Sequence, residues 1–392
     1  MQTTCDVLVI GGGPAGGLAA LLLAKAGRAV TLIEAQTVLG ARVCGAYLCP
    51  AGVALLDELG LRQELTGDMR PLLGMVLVSP GRRRLQTRFP AHARLPDFGL
   101  SLRRPEFDNA LLGAAARGGA KIRMGKRLRS LRRTSEGWQA QTADNEIIRA
   151  RLIVGADGRR SRVAHLLKLA APPWQERVAL HADVPSLLPT EPYGEMHVFP
   201  DGTYIGLNPV GPHTLNLSAL CNPADLRRAT AREFINQRTQ ASEHLRSRIA
   251  PLAGATSVRA AFPTAASVRD VVTANAALIG DASGFFDPLT GEGIYQALWT
   301  ARALAGEIAG AGSDDAVLNA SLRRYAERRG SQHRGKRWCC RVFQAVIRRP
   351  QLSNVFHYVL ALHAGFGDSF IGMIGNIYSP AGACWNAMKT LT

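Results

Sequence analysis

Carboxylates are scarce in this 392-residue chain: 30 Asp plus Glu stand against 47 Lys plus Arg, a formal balance of +17. That surplus asks for an acidic partner, whether a phosphorylated ligand, an anionic membrane, an acidic protein or nucleic acid. Charge alone does not choose among them. The seven cysteines are odd in number and form no CxxC pair. This argues against a secreted disulfide framework and against structural zinc, so no metal site is expected and the chain reads as reduced and cytoplasmic. No basic leader precedes the apolar stretch Val7–Ala24, and a signal peptide fits poorly. Its 18 residues approach membrane-spanning length, but six of them are Gly11, Gly12, Gly13, Pro14, Gly16 and Gly17. A strand, a glycine turn and a helix explain it better. With 47% hydrophobic and 20% charged residues the composition is that of a folded globular protein, of a length suited to two or three domains.

Asp6–Ile10 reads as a short buried strand, Gly11 to Gly16 as GxGxxG, Leu18–Ala26 as a helix stopped by Gly27, and Ala29–Ile33 as a second strand ending at Glu34. Gly11 permits the tight turn, Gly13 lets the backbone approach a pyrophosphate, and Gly16 allows close packing of helix on strand. Pro14 and Ala15 open the helix, whose N-terminus offers N–H groups and a partial positive charge to phosphates. Glu34 is placed to accept hydrogen bonds from an adenosine ribose. The fingerprint alone does not separate FAD from NAD.

Further stretches follow in order. They are Arg42-Val43-Cys44-Gly45, then Arg104-Pro105-Glu106-Phe107-Asp108 opening a helix, and Leu152–Gly158 (LIVGADG) with Ser161 beyond. Last comes Ala277–Ala282, a buried strand ending in Gly280-Asp281, continued as Phe286-Asp287-Pro288-Leu289-Thr290-Gly291-Glu292-Gly293-Ile294 before another helix. Together these motifs resemble the p-hydroxybenzoate hydroxylase superfamily of flavoproteins over residues 5–310. The chain is most similar to the branch holding geranylgeranyl reductases, flavin-dependent halogenases and related hydroxylases. The resemblance implies FAD. In it, Arg42 and Arg104 would contact ribose or phosphate oxygens, and Asp157 would hold a turn touching FAD. Asp281 would face the ribitol or pyrophosphate. The helix after Gly291, Gly293 and Ile294 would point its positive end at the flavin pyrimidine. Pro288 would line the flavin face, and Cys44 would lie near the isoalloxazine. No second dinucleotide fingerprint appears, so NAD(P)H would bind transiently over the flavin, or a separate reductase would supply electrons.

Residues 174–265 break this pattern. Arg177–Asp183, Tyr193–Phe199, Thr203–Asn208 and His213–Leu220 read as strands, with Pro200-Asp201-Gly202 a turn between two of them, and Ala231–Ile249 reads as one helix. Leu72–Phe89 adds strands, broken at Pro80-Gly81. The expected fold is α/β: a Rossmann-like FAD domain of glutathione reductase type (1–70, 95–173, 266–320) interleaved with an antiparallel substrate sheet (71–94, 174–265). A basic, mostly helical segment (321–392) follows. Tyr204–Pro209 departs from the YxWxFP that geranylgeranyl reductases resemble here, with Gly206 for Trp and Asn208 for Phe. That removes two aromatic walls, and the halogenase Trp signature is also missing. The default reading is hydroxylation of an aromatic or conjugated metabolite, free or carrier-tethered, through a flavin C4a-hydroperoxide. The alternatives are an FAD-dependent reductase of a polyprenyl or polyketide chain and a non-catalytic flavin-binding module. Such chemistry needs no catalytic triad, and none is visible; His181, His197 and Tyr204 are the polar candidates on the substrate sheet.

Ten cations, from Arg323 to Arg349, crowd one 27-residue window opposed only by Glu327. Trp338, Val342, Phe343 and Ile347 interleave at near-helical spacing. Three readings are open: a face packed on the core, an acidic protein docked there, or an anionic membrane at the inner leaflet. No nucleic-acid motif accompanies the arginines.

Overall fold

Short buried strands joined by glycine turns assemble a mainly parallel sheet in this computed structural model, which describes residues 2–67 and 69–389. Residues 1, 68 and 390–392, assigned above to the first domain and the tail, lie outside that description. The strand order is Val272–Thr273, Ala276–Leu278, Ile147–Gly155, Gln2–Ile10, Val30–Ile33, Lys121–Arg123. All neighbours are parallel except the first pair. A hairpin, Leu128–Thr134 and Gly137–Thr142, adds antiparallel to Ile147–Gly155. Helices Pro14–Lys25, Arg104–Arg117 and Gly293–Ile308 share one hydrophobic cluster with the sheet through Leu18, Leu111 and Leu298. The first helix starts at Pro14 rather than Leu18, because proline at the first helical position loses no intrahelical N–H bond. Parallel strands end at one edge, so the segments after Ile10, Ile33, Gly155 and Leu278 emerge side by side.

The second sheet has seven strands in the order Arg259–Ala261, Val178–Pro185, Thr214–Cys221, Tyr204–Gly211, Tyr193–Val198, Gly74–Val78, Arg84–Arg88. Only the pair Tyr193–Val198 and Gly74–Val78 is parallel, which is how the distant 74–88 hairpin joins the sheet. The stretch expected as one helix is two, Ala231–Ala241 and Glu243–Arg248. Ser242 adopts extended backbone and its hydroxyl caps the second helix by accepting from Leu245 N–H. Phe234, Ile235 and Leu245 bury the outer face of the sheet.

Four helices close the chain: Asp315–Ile347, Pro350–Leu362, Ala364–Ile374 and Pro380–Lys389. The basic window therefore lies within one 33-residue helix and its exit. The fold uses several of its cations. Arg324 and Arg328 pair with Glu307, Arg329 is buried against Ser283, and Lys336 pairs with Glu292. No described helix is long and apolar enough to cross a membrane.

Candidate flavin and substrate site

The strand ends of the first sheet and one face of the second enclose a cavity of about 720 Å³. The residues expected to meet FAD line it, as do Cys44, Tyr204 and Pro288, with Gly16 and Gly280 the exceptions in that set. Those two are packing positions. A Cβ at Gly16 would stand 1.8 Å from the Gly11 carbonyl oxygen, and one at Gly280 would stand 2.8 Å from Ala15 Cβ. They let the helix press against the turn, and side chains there would push cavity walls apart.

Glu34 is buried, with one carboxylate oxygen accepting from Gly12 N–H at 2.7 Å and the other from Gln36 N–H at 2.9 Å. Arg42 lies 3.9 Å from it. Arg104 forms a two-pronged pair with Asp108, 3.0 and 2.8 Å, one turn along its helix. Burial works against its charge, but neighbouring Cys44 and Asp108 outweigh burial and hold the guanidinium protonated. The Cys44 sulfur also accepts from Ala46 N–H at 3.4 Å. Asp157 is committed to its turn, accepting from the Ser161 hydroxyl at 2.6 Å and Val163 N–H at 3.0 Å. Burial raises its carboxyl above the usual range despite those bonds. Asp281 is likewise raised by burial, opposed by Arg159 at 3.9 Å and by Arg104.

The helix at Pro14 has Gly13 as its cap, with no side chain accepting from its first turn, and a Cβ at Gly13 would meet nothing within 4 Å. The helix at Gly293 also lacks a side-chain cap bond. Two helix N-termini thus open on one cavity that arginines also line. The donor set suits the phosphates of a dinucleotide at one and an electron-rich ring at the other. Gly291 must be glycine: its φ is 65° and a Cβ would stand 2.6 Å from the Tyr47 ring. Pro288 opens the short turn before it, and the carboxylate of Asp287 accepts from Leu289 N–H at 2.8 Å.

The remaining candidates separate. Tyr204 lines the cavity and donates to Asp287 at 3.4 Å; burial, then Asp287, keeps its phenol protonated. His181 and His197 do not reach the cavity. They are buried against Asn216 and Glu195, at 3.2 and 3.0 Å. Asn208 is more than a missing aromatic wall: its amide donates to the Ala46 carbonyl (2.7 Å) and the Ser101 hydroxyl (2.9 Å), tying the second sheet to the turn after Cys44. Sequence reasoning also missed Met75, Leu77 and Ile374 in the wall, and the buried Lys336–Glu292 pair at 2.7 Å, which Asn376 joins at 2.6 Å. A lysine embedded in an arginine run was the one signal for it.

The sequence profile described as FAD binding domain matches residues 4–334. The chain is 31% identical over 328 residues to a menaquinone reductase of Mycolicibacterium smegmatis, covering 79% of this chain and 77% of that protein. It is 35% identical over 164 residues to the ubiquinone hydroxylase UbiL of Rhodospirillum rubrum, covering 40% and 38%. A solved geranylgeranyl bacteriochlorophyll reductase-like protein from Thermoplasma acidophilum shares the fold, with a TM-score of 0.77 at 19% identity over 100% of this chain and 96% of that one. The chain therefore belongs to the FAD-binding-domain family: it is an FAD-dependent oxidoreductase of the p-hydroxybenzoate hydroxylase superfamily.

Proposed function

We propose that this oxidoreductase reduces a lipophilic substrate of the quinone or polyprenyl class. The carrying observation is the continuity of the cavity, which runs from the uncapped helix at Pro14 to a floor of Met75, Leu77, Met196, Leu207 and Leu220 on the second sheet. Bound FAD supplies hydride chemistry that no side chain here can perform. The residues do the rest. Gly13 and the helix start at Pro14 receive phosphates, the helix start at Gly293 faces the flavin ring, Arg104 and Arg42 add fixed positive charge, and the apolar floor excludes water from the reacting bond. Tyr204 is turned toward Asp287 and so positions rather than transfers a proton. The similarity to a menaquinone reductase over most of both chains supports the reductive reading.

Hydroxylation of the same class of substrate is the second reading. Gly206 and Asn208 leave the cavity without the two aromatic walls of the reductase pattern, which supports it. The test is turnover of a short-chain menaquinone with NAD(P)H, with and without oxygen. Anaerobic product gaining two hydrogens supports reduction. Product gaining one oxygen atom, only in air and with matched oxygen uptake, replaces it by hydroxylation. Absence of flavin after reconstitution with FAD defeats both. If NAD(P)H fails but chemically reduced enzyme turns over, a separate reductase is the donor.

A further inference from the structure

Nine of the fourteen large hydrophobic side chains exposed among the described residues fall between 338 and 388, so exposed apolar surface is concentrated in the C-terminal helices. The clearest array is on helix Pro350–Leu362. Leu352, Val355, Val359 and Leu362 recur at spacings of three, four and three, one stripe of a helix, with Val355 and Leu362 each 58% exposed. Ser353, His357 and Leu360 on the other side are buried. Monomeric surfaces seldom carry such a stripe without a use for it.

The fold then sets cations beside the stripe from a distant part of the chain. The Pro80–Arg84 turn leans on this helix: Gly81 N–H donates to Asn354 at 2.7 Å, and the Arg83 guanidinium lies 5.2 Å over the Tyr358 ring. Arg82, Arg83 and Arg84 are exposed, and none has an ion-pair partner among the described residues. Arg341 and Arg349 are exposed at the approach to the helix, and Asp368 is the only carboxylate between 338 and 389.

We infer that this face docks on an anionic lipid surface, with the stripe in the headgroup boundary and the arginines against lipid phosphates. A stripe of aliphatic side chains edged by unpaired arginines matches both layers of such a surface. An acidic protein would match the charge but gives no reason for the bare aliphatics. Beneath the helix, Phe356 and Leu360 pack in the same cluster as Met75, Leu77, Met196 and Ile374, which wall the apolar part of the cavity. A docked molecule would hold that apolar end next to the lipid. This deepens the proposed function, since a lipid substrate would come from that side, but the docking itself rests only on the surface.

FAD-loaded, full-length protein is sedimented with vesicles of phosphatidylcholine alone and of phosphatidylcholine with phosphatidylglycerol, at low and high salt. Binding is expected to the anionic vesicles and to weaken with salt. Val355→Glu with Leu362→Glu should lower partitioning about tenfold or more, and Arg82→Glu with Arg83→Glu should remove most of the salt-sensitive part. Flavin content and turnover of a detergent-dispersed substrate should stay unchanged in both, which separates lost docking from lost folding or lost activity. No sedimentation with anionic vesicles overturns the inference, as does binding that neither variant lowers or capture by an acidic carrier protein alone. Docking without any menaquinone turnover would defeat the proposed substrate and leave the docking standing.

Discussion

The two ends of the cavity are held by different physics. At the dinucleotide end the walls are backbone: glycine turns, helix starts and strand ends, with spacings set by atoms that cannot move aside. At the apolar end the walls are side chains of the second sheet and of the C-terminal helices, which can repack. The first end should therefore fail abruptly when altered and the second should yield by degrees.

The sharpest contrast is Gly16→Val. With Gly11 oxygen 1.8 Å from the position of the first added atom, the turn cannot close, and the protein should be insoluble or colourless. Normal flavin absorbance in this variant would break the comparison. Next is Lys336→Met, which removes the ammonium from the buried Glu292 carboxylate beside Gly291 and Gly293. Losing one partner of such a pair costs about 3–5 kcal/mol, seen as a lower Tm and easier flavin release. Lys336→Met with Glu292→Gln should recover much of it, and no recovery would mean the lysine acts through Met373, whose carbonyl it also meets at 2.9 Å.

A pH experiment tests whether the C-terminal helices yield first. Burial, then the nearby Arg329 charge, lowers the His333 imidazole to about 3. The unfolded chain binds this proton near the ordinary value and the folded one does not, so stability is full above about pH 6.5 and falls as pH drops toward 3. The loss should be about 2 kcal/mol by pH 5. His333→Gln should match the parent Tm at pH 7.5 and exceed it at pH 5; equal Tm losses in both proteins would refute the assignment. Asn208→Ala removes two buried hydrogen bonds and should cost about 1–3 kcal/mol with flavin retained. Smallest is Tyr204→Phe, where a 3.4 Å bond is lost and stability should fall by about 1 kcal/mol or less, with turnover changed less than tenfold.

The legibility of the sequence followed the same division. Gly11, Gly13, Glu34, Asp157 and Asp281 could be placed because each is fixed by its immediate neighbours, a strand before it and a turn or helix after it. His181 and His197 were on strands as expected, but which side faced the cavity depended on sheet register and could not be read from alternation alone. Ser242 split a helix whose apolar period ran on through it, because a serine cap competes locally with continued helix. The arginine run told of charge but not of its use. Arg329 and Lys336 went inward because Ser283 and Glu292, far away in sequence, stand where that helix crosses.

By itself the sequence determined the succession of buried strands, glycine turns and helices in the first unit and the presence of a second sheet, because these depend on local backbone geometry and period; the cofactor followed from the resemblance that the motifs carry together. Only the tertiary structure decided which cations are free, how Lys336 reaches the Gly291–Gly293 turn, and that Arg82–Arg84 lie beside an apolar helix some 270 residues later. Those are meetings between distant segments, set by packing of whole elements rather than by any pattern within one.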